Sequence, residues 1–337
     1  MLKRLSQRLT SFHPKRERSV WFYRDYGGFT GGHLKHAHYY QNVQALNRFR
    51  ARMVFSRDSL SEEQCSARGR LWPQASSASV DWSPAQGDIL FLAGLDWRFL
   101  LSSDGVGLEL PKINLIQHVR HADSQTELYD FLTEKAIRIC VSQEVADAIT
   151  ATKKVNGPVI TIPNGIDVPK IKKTDIERRY NNPSRGQKVL IVGYKMPVLA
   201  KELSNCLGLL GVEHLLVNQL LEREVFLSLL KEYDVVVCCP NVTEGFYLPA
   251  LEVMAAGAVL VVPDCVGNRG FCVPGETCFM PGYSPSEMLN SVLGALSLTA
   301  SQRKALLRGA LQKVSQHSLN KEKKAFYSVL NNVDQLW

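Results

Sequence analysis

The chain lacks any long apolar run. A membrane-spanning helix needs about 18 or more predominantly apolar residues, and the best stretch here, 253–263, reads as helix, turn and strand. No C-x-x-C pairs occur among its eight cysteines, which are spread from Cys65 to Cys278. That spacing argues against a cysteine-ligated zinc site and suits small hydrophobes held reduced in a cytoplasmic compartment. No D-x-D motif offers paired aspartates to a divalent metal, and no G-x-G-x-x-G follows a strand, so a dinucleotide fingerprint is missing. The N-terminal segment MLKRLSQRLTSFHPKRERSV has basic residues but no apolar core for a secretory signal, and export is not expected.

The 337 residues are 45% hydrophobic and 21% charged, enough to bury the cores of two ordinary domains. The formal charge of +8 would suit nucleic acid, an anionic membrane or a phosphorylated substrate. No zinc-finger spacing or aromatic-basic RNA motif supports the first, so no nucleic-acid partner is expected. Part of the charge sits in a basic tail, 1–18. A helix over 1–10 would set Leu2, Leu5 and Leu9 on one side with Lys3, Arg4 and Arg8 around them. Such a helix suits the inner face of an anionic membrane; a solvated, frayed tail is the equal alternative.

Beyond the tail, β-prone runs at 19–23, 88–92, 113–117, 137–141 and 159–162 alternate with helical patterns at 33–48 and 144–152. After the polar, proline-broken segment 167–187 a second cycle begins, with strands at 189–192, 214–217, 234–238 and 258–262. Helices are expected at 198–209, 223–231, 248–256, 284–296, 301–315 and 321–330. This alternation predicts an α/β protein of two Rossmann-like domains, 19–166 and 188–315, joined by the linker 167–187. The C-terminal helix, 316–337, is expected to pack back on the first domain. Two such units leave a cleft at the carboxyl ends of their strands, where ligands of parallel sheets bind.

The sharpest feature is TEGFYLPALEVMAAG, 243–257, directly after the strand VVVCCP. Pro249 suits the first turn of a helix and Gly257 its end. A helix starting at a sheet's carboxyl edge directs unpaired N–H groups at a phosphate. Glu244 lies in the preceding loop and Glu252 a turn into the helix, so the two carboxylates reach different hydroxyls of one extended ligand.

This segment resembles the E-x7-E signature of retaining glycosyltransferases of the GT-B fold, especially glycosyltransferase family 4. Glu244, Gly245, Phe246, Leu248, Pro249, Glu252, Met254, Ala255 and Gly257 occupy the motif's places, while Tyr247 replaces its usual glycine. The resemblance implies a hexosyl or related transferase that moves a sugar from a nucleoside diphosphate sugar to a hydroxyl of a glycan or lipid-linked acceptor. It implies a donor co-substrate, no cofactor and no metal, and a cytoplasmic protein. Glu244 would lie at the transferred sugar and Glu252 at the ribose, with Gly245, Phe246, Tyr247 and Leu248 around them.

Other segments extend the resemblance. IPNGID, 162–167, looks like the strand-to-linker junction. VLIVGYKMPVLAKEL looks like the first strand and loop that supply cations to the diphosphate, with Gly193 at the turn and Lys201 as the better match to the family lysine. Tyr194 stands where an arginine is expected, so either Lys195 replaces it or the clamp has one cation fewer. Gly31 and Gly32 belong to a glycine-rich loop, GGFTGG, that would line the donor site. His118 takes the place of the first-domain histidine that reaches the transferred sugar, and Arg269 is a further candidate for the diphosphate. His33, Lys35, His36 and His38 are candidates for acceptor contacts. Because Tyr194 and Tyr247 depart from the pattern, a non-catalytic sugar-nucleotide-binding protein of degenerate GT-B fold is the alternative.

Overall fold

Short runs of apolar residues buried on both faces make most of the strands: ILFLA (Ile89–Ala93) and VVVC (Val235–Cys238) are buried at every position. Such strands need helices on both sides, and parallel sheets meet that need. The computed structural model describes residues 17–28, 30–61, 63–65, 70–72, 81–102, 109–167 and 188–337. The tail through Arg16, Phe29 of the glycine-rich loop and 168–187 of the expected linker lie outside the described residues.

Six strands build the first sheet: β1 Arg18–Arg24, β2 Phe49–Phe55, β3 Ile89–Ala93, β4 Lys112–Ile116, β5 Ile137–Cys140 and β6 Val159–Thr161. Their spatial order is β2-β1-β3-β4-β5-β6. Four more, β7 Val189–Val192, β8 His214–Val217, β9 Val235–Cys238 and β10 Val259–Val261, form a second sheet in the order β10-β9-β7-β8. All the named strands pair in parallel. In each sheet the chain leaves its first strand to one side and later returns on the other. The resulting crevices, between β1 and β3 and between β7 and β9, are where parallel sheets bind ligands. The fold is therefore α/β with two Rossmann-like halves.

Nine helices matter here: α1 Gly31–Gln44, α2 Asp96–Ser102, α3 Gln143–Ala151, α4 Pro197–Leu209, α5 Arg223–Leu229, α6 Leu248–Ala256, α7 Pro285–Leu296, α8 Ala300–Gln316 and α9 Leu319–Asn331. Three departures from the expected elements stand out. The first helix stops at Gln44, not Arg48, and after a turn over 45–48 the chain forms β2, a strand absent from the sequence reading. FRARMVF alternates buried Phe49 and Met53 with exposed Arg50, the pattern of a sheet edge, and its charges hid it among the polar residues that follow the helix. Helix α2 was also not expected.

Helices α7 and α8 cover the second sheet, with Val292, Leu306 and Leu307 packed on Val189 and Val235. Helix α9 then leaves it. Phe326, Val329 and Leu330 enter the core of the first sheet beside Phe22 and Phe91, and the Phe326 ring meets Tyr39 edge-on at 4.6 Å. Within this contact Lys35 Nζ lies 2.5 Å from Glu322 Oε2, with both side chains 1% exposed. The outbound chain at Ile166 and the returning chain at 317–319 run side by side: Ile166 N donates to His317 O (2.9 Å) and Leu319 N to Ile166 O (3.1 Å). A Cβ on Gly165 would lie 2.5 Å from the Ser318 carbonyl, so only glycine fits there. All eight cysteines are free thiols, and no helix among the described residues is long and apolar enough to cross a membrane.

Candidate active site

Helix α6 starts just beyond the crevice side of β9. Pro249 occupies its first turn, no side chain caps it, and Gly257 (φ 73) ends it in the left-handed conformation. The Tyr247 N–H is tied back to Gly267 O at 2.9 Å, which holds the loop 244–247 in place. Two glycines let that loop pass between neighbours. A Cβ on Gly267 would lie 2.7 Å from Phe246 N, and one on Gly245 only 2.0 Å from Gln117 O, on the first sheet. Gly245→Ala therefore pushes the two halves apart. We expect a lower melting temperature and a larger radius of gyration by X-ray scattering; an unchanged radius would refute this close approach.

A cavity of about 590 Å³ lies between the two sheets at this point. From the first half, Gly31, Gly32 and His118 line it. The second half contributes Lys195, Glu244, Gly245, Phe246, Tyr247, Leu248 and Glu252. Helix α1 also begins here: Thr30 accepts from His33 N (3.2 Å), and the first helical bond runs from Leu34 N to Thr30 O. The N–H groups of Gly31 and Gly32 precede that bond, so two helix N-termini approach the cavity from opposite walls, a favourable setting for an anion.

Three other expected site residues stand elsewhere. Gly193 is flanked by the lining residues Val192 and Tyr194, and its own space is taken, because a Cβ would lie 2.2 Å from Ala200 Cβ. Lys201 is exposed on α4 and is not among the lining residues. Arg269 is half exposed, ion-paired to Asp264 at 2.8 Å, and does not line the cavity.

Charge is paired across the second-sheet wall. Lys195 Nζ donates to Glu244 Oε1 at 2.6 Å. Glu252, 4% exposed, has its Oε1 2.5 Å from Arg223 Nη1 at the start of α5. Burial raises the Glu252 pKa, and Arg223, then Lys35, oppose the rise. Sequence reasoning missed Arg223. The available signal was its place just after the loop that ends β8, at the carboxyl edge of a parallel strand.

His118 is poised by its own local turn. Its Nδ1 accepts from Arg120 N at 3.0 Å, so in the neutral ring the proton resides on Nε2. Burial, with Arg120 adding to it, lowers its pKa to about 4. At neutral pH His118 is accordingly an uncharged hydrogen-bond donor toward the cavity. Burial likewise lowers His33 to about 4 and His38 to about 3. His36 is fully buried among aromatic rings, including Phe22 at 5.4 Å, and does not line the cavity.

No protein-family model matches the sequence, and no curated protein matches it at a significant level. Solved structures do match its shape. HepE from Anabaena, solved in complex with UDP-glucose, superposes with a TM-score of 0.69 at 14% identity, covering 93% of this chain and 99% of its own. Sucrose-phosphate synthase from Thermosynechococcus elongatus gives 0.65 at 12% identity, over 94% of this chain and 99% of its own. A glycosyltransferase from Rickettsia africae ESF-5 gives 0.66 at 10% identity, again over 94% and 99%. Likeness at such identities is likeness of architecture, and it joins the sheet order and the interdomain cavity in one conclusion: this chain has the GT-B fold of nucleotide-sugar glycosyltransferases.

Proposed function

We propose that the protein is a retaining glycosyltransferase of the family 4 type, transferring a hexose or related sugar from a nucleoside diphosphate sugar to an acceptor hydroxyl. The observation that carries this reading is the convergence of Glu244, Lys195, His118, the Glu252–Arg223 pair and the start of α6 on one interdomain cavity. The UDP-glucose and UDP named for the Anabaena structures make a uridine donor the first to test.

In this mechanism the bond between the anomeric carbon and the diphosphate oxygen breaks as the acceptor oxygen bonds to the same face of that carbon. The acceptor proton passes to the departing diphosphate. Negative charge grows on the leaving group, and preorganised countercharge is usually the largest catalytic contribution. Lys195 and the α6 N-terminus supply it; exposed Lys201 and Asp264-bound Arg269 have no part. Glu244 accepts from sugar hydroxyls and His118 donates from Nε2. Glu252 accepts from the ribose, with Arg223 holding its carboxylate. The cations make a metal unnecessary. The acceptor is a glycan or lipid-linked hydroxyl, reached at the inner membrane face or in the cytoplasm.

Incubation with UDP-, GDP-, ADP- and TDP-sugars tests this directly. Nucleoside diphosphate release with at least one donor, undiminished by EDTA, is expected. Tight nucleotide binding without release under any condition would favour the non-catalytic alternative, and activity restored only by Mn²⁺ would refute metal independence.

A further inference from the structure

The first-sheet wall of the cavity carries groups that the donor mechanism leaves unused. It is built from the carboxyl ends of β1, β3 and β4, which supply Arg24, Gly94 and the turn holding Arg120. Arg24, 9% exposed, sends Nη2 to Ala93 O (3.1 Å) and to Asp96 Oδ1 (2.9 Å). Its Nε is buried with no hydrogen-bond partner among the described residues, as is Nδ1 of the neighbouring His33. Arg120 is exposed and makes no ion pair among the described residues.

Between these arginines lies space. Strands β1 and β4 flank β3, so their ends are about 10 Å apart at two interstrand spacings. Directly after β3 comes Gly94, with φ 57 and nothing within 4 Å of where a Cβ would stand. The bare backbone of Gly94 thus lines the cavity between the strand that ends in Arg24 and the strand whose following turn carries Arg120.

The charge of this wall is one-sided. Among the described residues that line the cavity the only carboxylates are Glu244 and Glu252, both on the opposite wall and both engaged by cations. The counterion of Arg24, Asp96, lies behind it. Burial pushes the Asp96 carboxyl up from its usual range, with Arg24 opposing the rise. Acceptor hydroxyls need no guanidinium. The planar fork of arginine matches phosphate and carboxylate oxygens.

We propose that Arg24 and Arg120 form an anion subsite over Gly94, so that the acceptor is a sugar or glycan bearing a phosphate or carboxylate. This rests on the transferase reading and deepens it by naming the acceptor's chemical class. Anchoring the anion at the first sheet leaves a hydroxyl of the same molecule to face the donor.

The test is calorimetric titration of the full chain with glucose 6-phosphate, glucuronate and glucose, each with and without saturating UDP. The charged sugars are expected to bind at least about tenfold more tightly than glucose. Their advantage should shrink in Arg120→Gln, which alters an exposed side chain. It should vanish when Arg24→Lys is added, a change that keeps a cation beside Asp96 but removes the fork. Preference for glucose 6-phosphate over glucuronate identifies phosphate as the anion, and the reverse identifies carboxylate. Glucose binding as tightly as both, or charged-sugar binding indifferent to both arginines, overturns the proposal. If UDP and its relatives fail to bind while the arginine-dependent sugar binding persists, the donor reading fails and the subsite stands. If a nucleotide binds and both charged sugars do not, the subsite alone is refuted.

Discussion

Glu244→Gln is expected to lower kcat by about 10²–10³, the range found when one preorganised electrostatic group is removed from an active site. The chain should meanwhile remain folded. Glu244 is not part of a packed core: its side chain is 13% exposed, at the cavity, with Lys195 and Asn241 as its partners. The lost ion pair involves a lysine 27% exposed, where solvent screening limits the stability effect to about 1 kcal/mol or less. Substrate affinity and turnover should separate, because the Glu252–Arg223 pair proposed to hold the ribose is untouched. Steady-state kinetics beside a thermal melt make the comparison. Wild-type kcat in a folded variant would remove Glu244 from the mechanism, whereas loss of activity with loss of structure would assign it to folding.

Lys35→Met is expected to destabilise the protein by about 3–5 kcal/mol, the effect of leaving one member of a buried ion pair without its partner. Glu322 also accepts from Gly165 N at 2.5 Å, and Lys35 donates to Gly165 O at 3.1 Å. The pair thus ties α1, α9 and the chain leaving the first sheet to one another. Pairing Lys35→Met with Glu322→Leu should recover much of the loss, since apolar replacements of a buried pair are often neutral or stabilising.

The sign of the pH dependence follows from Glu322. Burial already raises its pKa above 4.5, with Lys35 opposing the rise. Without Lys35 the folded state holds that proton more tightly still, while the unfolded chain releases it near the ordinary value. Stability of the variant relative to the parent should be least impaired below about pH 4.5 and decline as pH rises through the folded pKa. Denaturant titrations at pH 5 and pH 8 measure the difference. An equal deficit at both values would mean that packing, not charge, explains the loss.

How much of this could be read from the chain alone depended on whether a signal was local. Glu244, Pro249, Glu252 and Gly257 declare a capped helix and its acidic partners within one short segment, and the boundaries 248–256 agree with the structure. His118 and the glycines of α1 were legible for the same reason, each standing directly after or before a recognisable strand or helix. Lys201 shows the limit. Two lysines follow β7 six residues apart, and which one faces the cavity depends on where α4 begins; Pro197 starts the helix between them and turns Lys201 to solvent.

Arg223 and Arg24 were harder still. Each is an ordinary arginine at an element boundary, and its place at the cavity arises from strand order: β8 beside β7, and β1 beside β3. No periodicity records that order. Strand β2 was lost because an edge strand carrying two arginines resembles a polar helix end, and only pairing with β1 over seven residues reveals it.

The paired crossings at Ile166 and 317–319 have a mechanical consequence. The two backbone segments are joined by reciprocal hydrogen bonds and stand against each other at Gly165, so both crossings between the halves are fastened at one place. Any rotation of one half against the other that keeps these bonds has to pivot beside them, where the Phe246 ring meets His317 at 5.6 Å.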